Sequence, residues 1–393
     1  MRAVLWVFCL VVAWAPAVPL AQEGGGVSPG VARALAIVSE AMDAGREAEA
    51  LERLEVLSGR RLRPLERALV AQTQGYLLAR AERYPEAIAA FRTALETGAL
   101  QGRALQDLRL NLGQLLLAEG EDEAGLAVLQ AWREAGGELT PSLVDWLAYA
   151  YYRSGRAGEA AALLDRALGR FPPRRTWYEL RAALYLEADE LEEAVALLRQ
   201  ALARFPGSAF FWRQLAAAQL RLEREGEALA SLMVAWQQGL LPADDVVLMA
   251  RLFARVGAPY HGARLLREVL VEGRLPADGE RWGLVGELFA QAREREAALV
   301  AFGRAARLSR DGRWDLRRGE LLVGLARWQD AESALEAALE KGLERPGRAR
   351  YLLGVALAEQ GRHEAARARF QVLRDDAHLG PLARQWLQRL EAG

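Results

Sequence analysis

A small residue returns along the chain at Ala50, Ala87, Gly125, Ala160, Ala194, Ala228, Gly262, Ala298, Ala331 and Ala366, at intervals of 33 to 38 residues. The clearest copies extend it: Ala160, Leu164 and Ala167, then Ala194, Leu198 and Ala201, then Ala228, Leu232 and Ala235. Such self-similarity argues against one central core and for a supersecondary unit copied about ten times and stacked on itself.

The stretch from Pro141 to Arg174 shows what the unit is. Val144, Leu147, Ala148 and Tyr151 fall at i, i+3, i+4 and i+7, as do Ala160, Leu163, Leu164 and Ala167, so each set lies on one face of a helix. Thr140 supplies an N-cap ahead of Pro141 in the first turn, and Gly155 stands where the first helix has to stop. Small side chains at 148 and 160 let the two backbones approach closely; larger ones would hold them apart at a cost of roughly 1–3 kcal/mol. Strands have little support, with five threonines, two isoleucines and no sustained alternation.

These residues resemble the tetratricopeptide repeat: Leu147, Ala148, Tyr151, Ala160, Leu164, Ala167 and Pro172 fall on its 34-residue pattern, and later units keep Tyr185, Pro206, Trp212, Leu215 and Ala216. The resemblance implies an all-α fold, a right-handed α-solenoid (superhelix) of about ten helix-turn-helix repeats with a C-terminal capping helix. The division expected is a signal peptide at 1–21, a flexible linker at 22–30, irregular repeats at 31–140, regular repeats at 141–380 and the cap at 381–393. Gly136-Gly137 is the expected internal loosening. In the cap, Leu382, Trp386 and Leu390 share one face.

Charge narrows the function classes. With 51 basic against 52 acidic side chains the chain has no excess for neutralising phosphates, so no nucleic-acid partner is expected. Met1 and Arg2 precede an uncharged stretch to Gln22 whose apolar centre has the length of a signal-peptide core, with a small-x-small site at Ala15-Pro16-Ala17 and a second cleavage site at Leu20-Ala21-Gln22. Cleavage after Ala21 is the preferred reading, and an uncleaved anchor is the alternative; both carry the chain across the membrane into the periplasm, and membrane contact is expected only through that segment. Cys9, the one cysteine, lies inside it, so a processed chain would have no disulfide or thiolate.

Catalysis has weak footing. Gly26-Val27-Ser28-Pro29-Gly30 spells Gly-x-Ser-x-Gly, but that motif acts only on a strand-turn-helix, and no strand precedes it. His261, His363 and His378 show no zinc-ligand spacing. No phosphate loop occurs. A non-catalytic protein without cofactor or metal is expected.

In a stack of such units the first helices line the concave face. This makes Tyr76, Arg80, Asp145, Trp146, Tyr149, Tyr152, Arg153, Glu179, Arg213, Gln214, Arg251 and Arg255 the candidate protein-binding set, rich in the aromatics and arginines that dominate interfaces. The alternative for Trp146 and one tyrosine is packing between adjacent units, and for the arginines solvation. The family's carboxylate clamp needs lysines and asparagines; this chain has one of each, Lys341 and Asn111, with only Asn111 assigned to the groove. Finally, Phe211-Trp212-Arg213-Gln214-Leu215, Gln238-Gly239-Leu240-Leu241, Gly257-Ala258-Pro259-Tyr260 and Ala383-Arg384-Gln385-Trp386-Leu387 resemble the exported tetratricopeptide proteins that accompany TonB, ExbB and ExbD. That resemblance implies a periplasmic scaffold in a TonB-dependent energy-transduction system. A scaffold in outer-membrane assembly or polysaccharide export is the alternative.

Overall fold

The computed structural model describes residues 26–392, so the signal segment, Cys9 and residues 22–25 of the expected linker lie outside the described residues. Among those described the secondary structure is helical throughout. The chain divides into two compact units, one ending at Leu184 and the other beginning at Tyr185. The first contains α1 (Pro29–Asp43), α2 (Glu47–Ser58), α3 (Pro64–Arg80), α4 (Tyr84–Glu96), α5 (Gly102–Ala118), α6 (Asp122–Glu134), α7 (Pro141–Arg153) and α8 (Ala157–Arg170), and the division falls inside α9 (Arg175–Glu187). The second contains α10 (Leu191–Arg204), α11 (Ala209–Arg221), α12 (Glu225–Gln237), α13 (Asp245–Arg255), α14 (Pro259–Val271), α15 (Gly279–Gln291), α16 (Arg295–Leu308), α17 (Arg313–Gly324), α18 (Trp328–Lys341), α19 (Gly347–Glu359), α20 (His363–Gln371) and α21 (Gly380–Ala392).

Within each unit the order is that of an α-solenoid. Odd and even helices pair as hairpins, as α3 does with α4 and α15 with α16, and even helices also pack on the next odd one, as α2 does on α3 and α14 on α15. Apolar residues accordingly gather in successive local clusters, such as that of Phe91, Leu108 and Leu112, and that of Leu266, Phe289 and Phe302. Helix α21 closes the second unit by packing on α20, with Trp386 stacked on Phe370 at 5.6 Å.

The recurrent small residues are the contact points of each hairpin. Ala148 and Ala160 are fully buried. Where the first helix carries glycine, the side chain of the second fills the space, a Cβ on Gly75 falling 2.5 Å from the Phe91 ring; where the second helix carries it, the backbone of the first lies against it, a Cβ on Gly262 falling 2.6 Å from the Ala250 carbonyl oxygen.

The turns repeat as well. Gly45, Glu82, Gly120, Gly155, Asp189, Glu223, Gly257, Arg293, Ala326 and Gly361 each have positive φ, all at the same place after the odd helix. The next residue donates its N–H to the carbonyl five residues back, as Arg156 does to Tyr151 at 2.8 Å and Arg224 to Gln219 at 2.8 Å, which satisfies a carbonyl the helix end would leave open.

Other features meet the sequence reading or depart from it. Thr140 caps α7 as expected, its hydroxyl accepting from the Leu143 N–H at 3.2 Å. Pro29 and Gly30, read as linker, form the first turn of α1, because Ser28 is tied down: its N–H donates to Glu66 Oε1 at 2.8 Å, while the Arg63 N–H donates to Glu66 Oε2 at 2.9 Å. The Ser28 side chain foremost, and then these two N–H groups, lower the Glu66 carboxyl pKa from 4.5 to about 2. Gly136-Gly137 is not a loosening. The Gly137 N–H donates to the Trp132 carbonyl, and a Cβ on Gly137 would lie 2.3 Å from the Trp132 ring. Lys341, the one lysine of the chain, donates to the buried Asp315 at 2.7 Å and to the Ala306 carbonyl at 2.6 Å, joining α16, α17 and α18.

Candidate protein-interaction surface

In the first unit, the seam between α7 and α9 opens into a cavity of about 170 Å³ lined mainly by apolar groups, with Ala148 and Leu164 in the wall and Tyr149, Trp177, Glu179 and Leu180 around it. Helix periodicity builds this site: Asp145, Ala148 and Tyr149 fall at i, i+3 and i+4 on α7, and Thr176, Glu179 and Leu180 repeat that spacing on α9. Asp145 fixes the seam. It pairs with Arg174 and accepts from Trp177 Nε1 at 2.5 Å and Thr176 Oγ1 at 3.2 Å, so its carboxylate positions the start of α9 instead of offering a free charge to a ligand. Glu179 accepts from Arg175 Nε at 2.5 Å.

Tyr149 is the most accessible aromatic group here, at 38 % exposure, and the Arg153 guanidinium lies over its ring at 5.0 Å. Arg153 is itself anchored, donating to the Leu117 carbonyl at 3.0 Å and pairing with Asp122. A rigid cation behind the ring leaves the other face of Tyr149 as a preorganised apolar platform. Trp146 and Tyr152 are half-buried against the apolar cluster of the same hairpin.

Several candidate residues have other tasks. Tyr76 and Asn111, assigned to the groove, are buried: Asn111 Nδ2 donates to Tyr76 Oη at 3.1 Å across the seam between α3 and α5, and Gln72 Nε2 donates to the same oxygen at 3.4 Å. Burial pushes the Tyr76 hydroxyl pKa up. The bond gives the buried Tyr76 hydroxyl and the Asn111 amide nitrogen a partner inside the seam. Arg80 pairs with Glu47 at 3.1 Å, Arg213 with Asp245 at 2.7 Å, and Arg255 with Glu225. In each case the partner belongs to an adjacent hairpin, so these arginines stitch neighbours together. Arg221 makes the same stitch, donating to the Leu186 carbonyl at 2.9 Å and to Asp189 at 2.6 Å, and sequence reasoning missed it. Gln214 is half-buried, and Arg251 is exposed on α13. The set therefore splits: Asp145, Tyr149 and Glu179 come together at one cavity in the first unit, while Arg213, Gln214, Arg251 and Arg255 lie in the second.

His261, His363 and His378 are exposed, the first two in the opening turns of α14 and α20. Among the described residues no group of three or more His, Cys, Asp or Glu side chains is placed to hold a metal, and no helix is long and apolar enough to cross a membrane.

Three solved structures are similar to the chain at low identity. A crystal structure of MamA protein is 16 % identical with a TM-score of 0.37, the match covering 43 % of this chain and 95 % of that one. A tetratricopeptide repeat protein from Parabacteroides merdae is 17 % identical with a TM-score of 0.37, over 65 % of this chain and 99 % of the other. The APC/C hetero-tetramer Cut9-Hcn1 is 12 % identical with a TM-score of 0.31, over 92 % and 83 %. No curated protein matches the chain. The tetratricopeptide repeat family matches residues 73–138, 146–209 and 316–379. The hairpins observed in those stretches have the small-residue contacts the family pattern requires, and those stretches are tetratricopeptide repeats.

Proposed function

We propose that the chain is a non-catalytic scaffold that holds an extended segment of a partner protein on its odd-helix face, with the cavity beside Tyr149 as the anchor. The observation that carries this reading is the pairing of an accessible ring, backed by a fixed guanidinium, with an adjoining apolar cavity whose polar groups are already satisfied. Such a site accepts an apolar side chain without leaving a buried charge unpaired. A proline-rich segment is a suitable guest, because its backbone is extended before binding and loses little entropy on docking against an aromatic ring.

The finer reading places the scaffold in the periplasm as an accessory to a TonB-type energy-transducing system. What supports it is the signal-like segment from Met1 to Ala21 and the resemblance of the segments at 211–215, 238–241, 257–260 and 383–387. An alkaline phosphatase fusion tests export. For the site, a labelled proline-rich peptide from the periplasmic span of the TonB-type protein of the same organism is titrated into the chain. Tyr149→Ala is expected to weaken binding about tenfold, the loss of roughly 1.4 kcal/mol from a central aromatic contact. Unchanged affinity in a folded variant refutes the anchor; absence of any binding to the unaltered chain refutes the TonB assignment.

A further inference from the structure

The second unit carries a groove on its even-helix side. It lies between α14 and α16, with a volume of about 520 Å³, floored by the rings of Trp282 and Phe289 from α15. Val271 and Val300 stand on its walls 63 % and 59 % exposed, among the most accessible large apolar side chains of the protein. The Arg304 guanidinium lies over Trp282 at 4.4 Å, and that of Arg267 over Phe289 at 5.6 Å.

The repeat supplies its own standard for judging this groove, because the α10–α12 groove is built on the same register. There Trp212 stands where Trp282 does, four residues before the small residue of the odd helix, and Arg199 stands where Arg267 does, five residues after that of the even helix. Arg199 is neutralised by Glu227 at 2.9 Å; Glu227 also accepts from Gln219 at 3.3 Å, and Ser231 donates to Gln219 at 2.8 Å. Every polar group in that groove has a partner from the fold. In the α14–α16 groove the place of Glu227 is taken by Ala297, directly before Ala298 as Glu227 is directly before Ala228, and that of Gln219 by Phe289. The carboxylate is gone while the arginine stays, and a second arginine, Arg304, stands where the other groove has Val234. Of the two acids on the α14 wall, Glu272 is engaged by Arg274 at 3.4 Å, leaving Glu268 against two guanidinium groups.

We infer that the α14–α16 groove is a docking site for a segment of a partner protein that presents a carboxylate beside a large apolar side chain. The apolar group seats between Val271 and Val300 on the aromatic floor. The carboxylate takes the place that Glu227 fills in the α10–α12 groove, making a charge-assisted bond to a guanidinium that lies over a ring. A bare polyanion such as single-stranded nucleic acid would satisfy the arginines but leave the two valines in water.

The test uses the whole chain and fluorescein-labelled amphipathic peptides in which leucine alternates around one face with glutamate or, as a control, with lysine. Polarisation is expected to show micromolar binding of the Leu/Glu peptide and none of the Leu/Lys peptide. Ala297→Glu restores the internal carboxylate and is expected to weaken binding at least tenfold with the helical circular dichroism retained. Arg267→Ala, at an exposed position, is expected to do the same, while Tyr149→Ala leaves binding unchanged. The inference is overturned if the unaltered chain does not bind the Leu/Glu peptide, if Ala297→Glu and Arg267→Ala bind it as tightly as the parent, if Tyr149→Ala abolishes binding, or if an oligothymidylate of equal charge binds as well.

Discussion

Gly286 on α15 lies directly beneath the ring of Phe302 on α16, so closely that a Cβ on the glycine would sit 2.5 Å from the ring. Both residues are buried, and the ring is also stacked on Trp314 at 6.1 Å between centroids. Gly286→Ala is therefore expected to destabilise the chain by about 1–3 kcal/mol through overpacking. Pairing it with Phe302→Leu is expected to recover part of that loss. Urea unfolding of the single and double variants decides the point; additive losses would show that the two residues do not share the contact.

Ala326 and Glu223 occupy the left-handed turn position that glycine fills in half of the hairpins, with φ of 55° and 60°. A Cβ there costs about 1–2 kcal/mol, whereas glycine adds about 0.5–1 kcal/mol of unfolded-state entropy. Ala326→Gly and Glu223→Gly are each expected to stabilise by about 0.5 kcal/mol or more. The midpoint of denaturant unfolding reads this, and a fall in the midpoint would refute it.

Removing the positive charge from Lys341 strands the Asp315 carboxylate, which is buried and has the Lys341 ammonium 2.7 Å away. Lys341→Met is expected to cost about 2–3 kcal/mol, somewhat less than a fully buried pair because the ammonium keeps some contact with water. The double variant Lys341→Met with Asp315→Leu is expected to regain most of it, since the stranded charge is then gone. A double variant as unstable as the single one would mean that the pair, and not the uncompensated charge, carries the effect.

Glu66 gives a pH signature. Its carboxyl is held at about 2 in the folded chain against an ordinary 4.5, by the Ser28 side chain first and the Arg63 and Ser28 N–H groups next. The unfolded state therefore takes up the proton first. The stabilisation is complete above pH 4.5 and is lost as the pH falls from there towards 2. Glu66→Gln is expected to flatten the acid limb of the stability profile over that window and to expose the start of α1 to proteolysis. An unaltered acid limb in the variant would show that other carboxylates dominate it.

The hairpin contacts were legible in the sequence because they are set by the closest approach of two backbones, which tolerates only alanine or glycine and so leaves a periodic trace. The turn position left none, since Glu82, Asp189, Glu223, Arg293 and Ala326 hold the same backbone shape as the glycines. Face assignment by register placed Tyr149 correctly at the surface but also Tyr76 and Asn111, which meet across a seam. Register says which way a side chain leaves its helix; it does not say what the next hairpin brings to meet it. The arginines misled for the same reason, their partners being supplied by the neighbouring hairpin, as Glu47 for Arg80 and Asp245 for Arg213.

The environment of Lys341 has a practical corollary for anyone who labels this protein. Acylating reagents that seek ε-amines have a single such target in the sequence, and it is engaged with Asp315 and a main-chain oxygen. Tagging it through an amide would neutralise the ammonium and loosen three helices at once. Maleimide chemistry at an introduced surface thiol is the safer route for cross-linking or immobilising the chain.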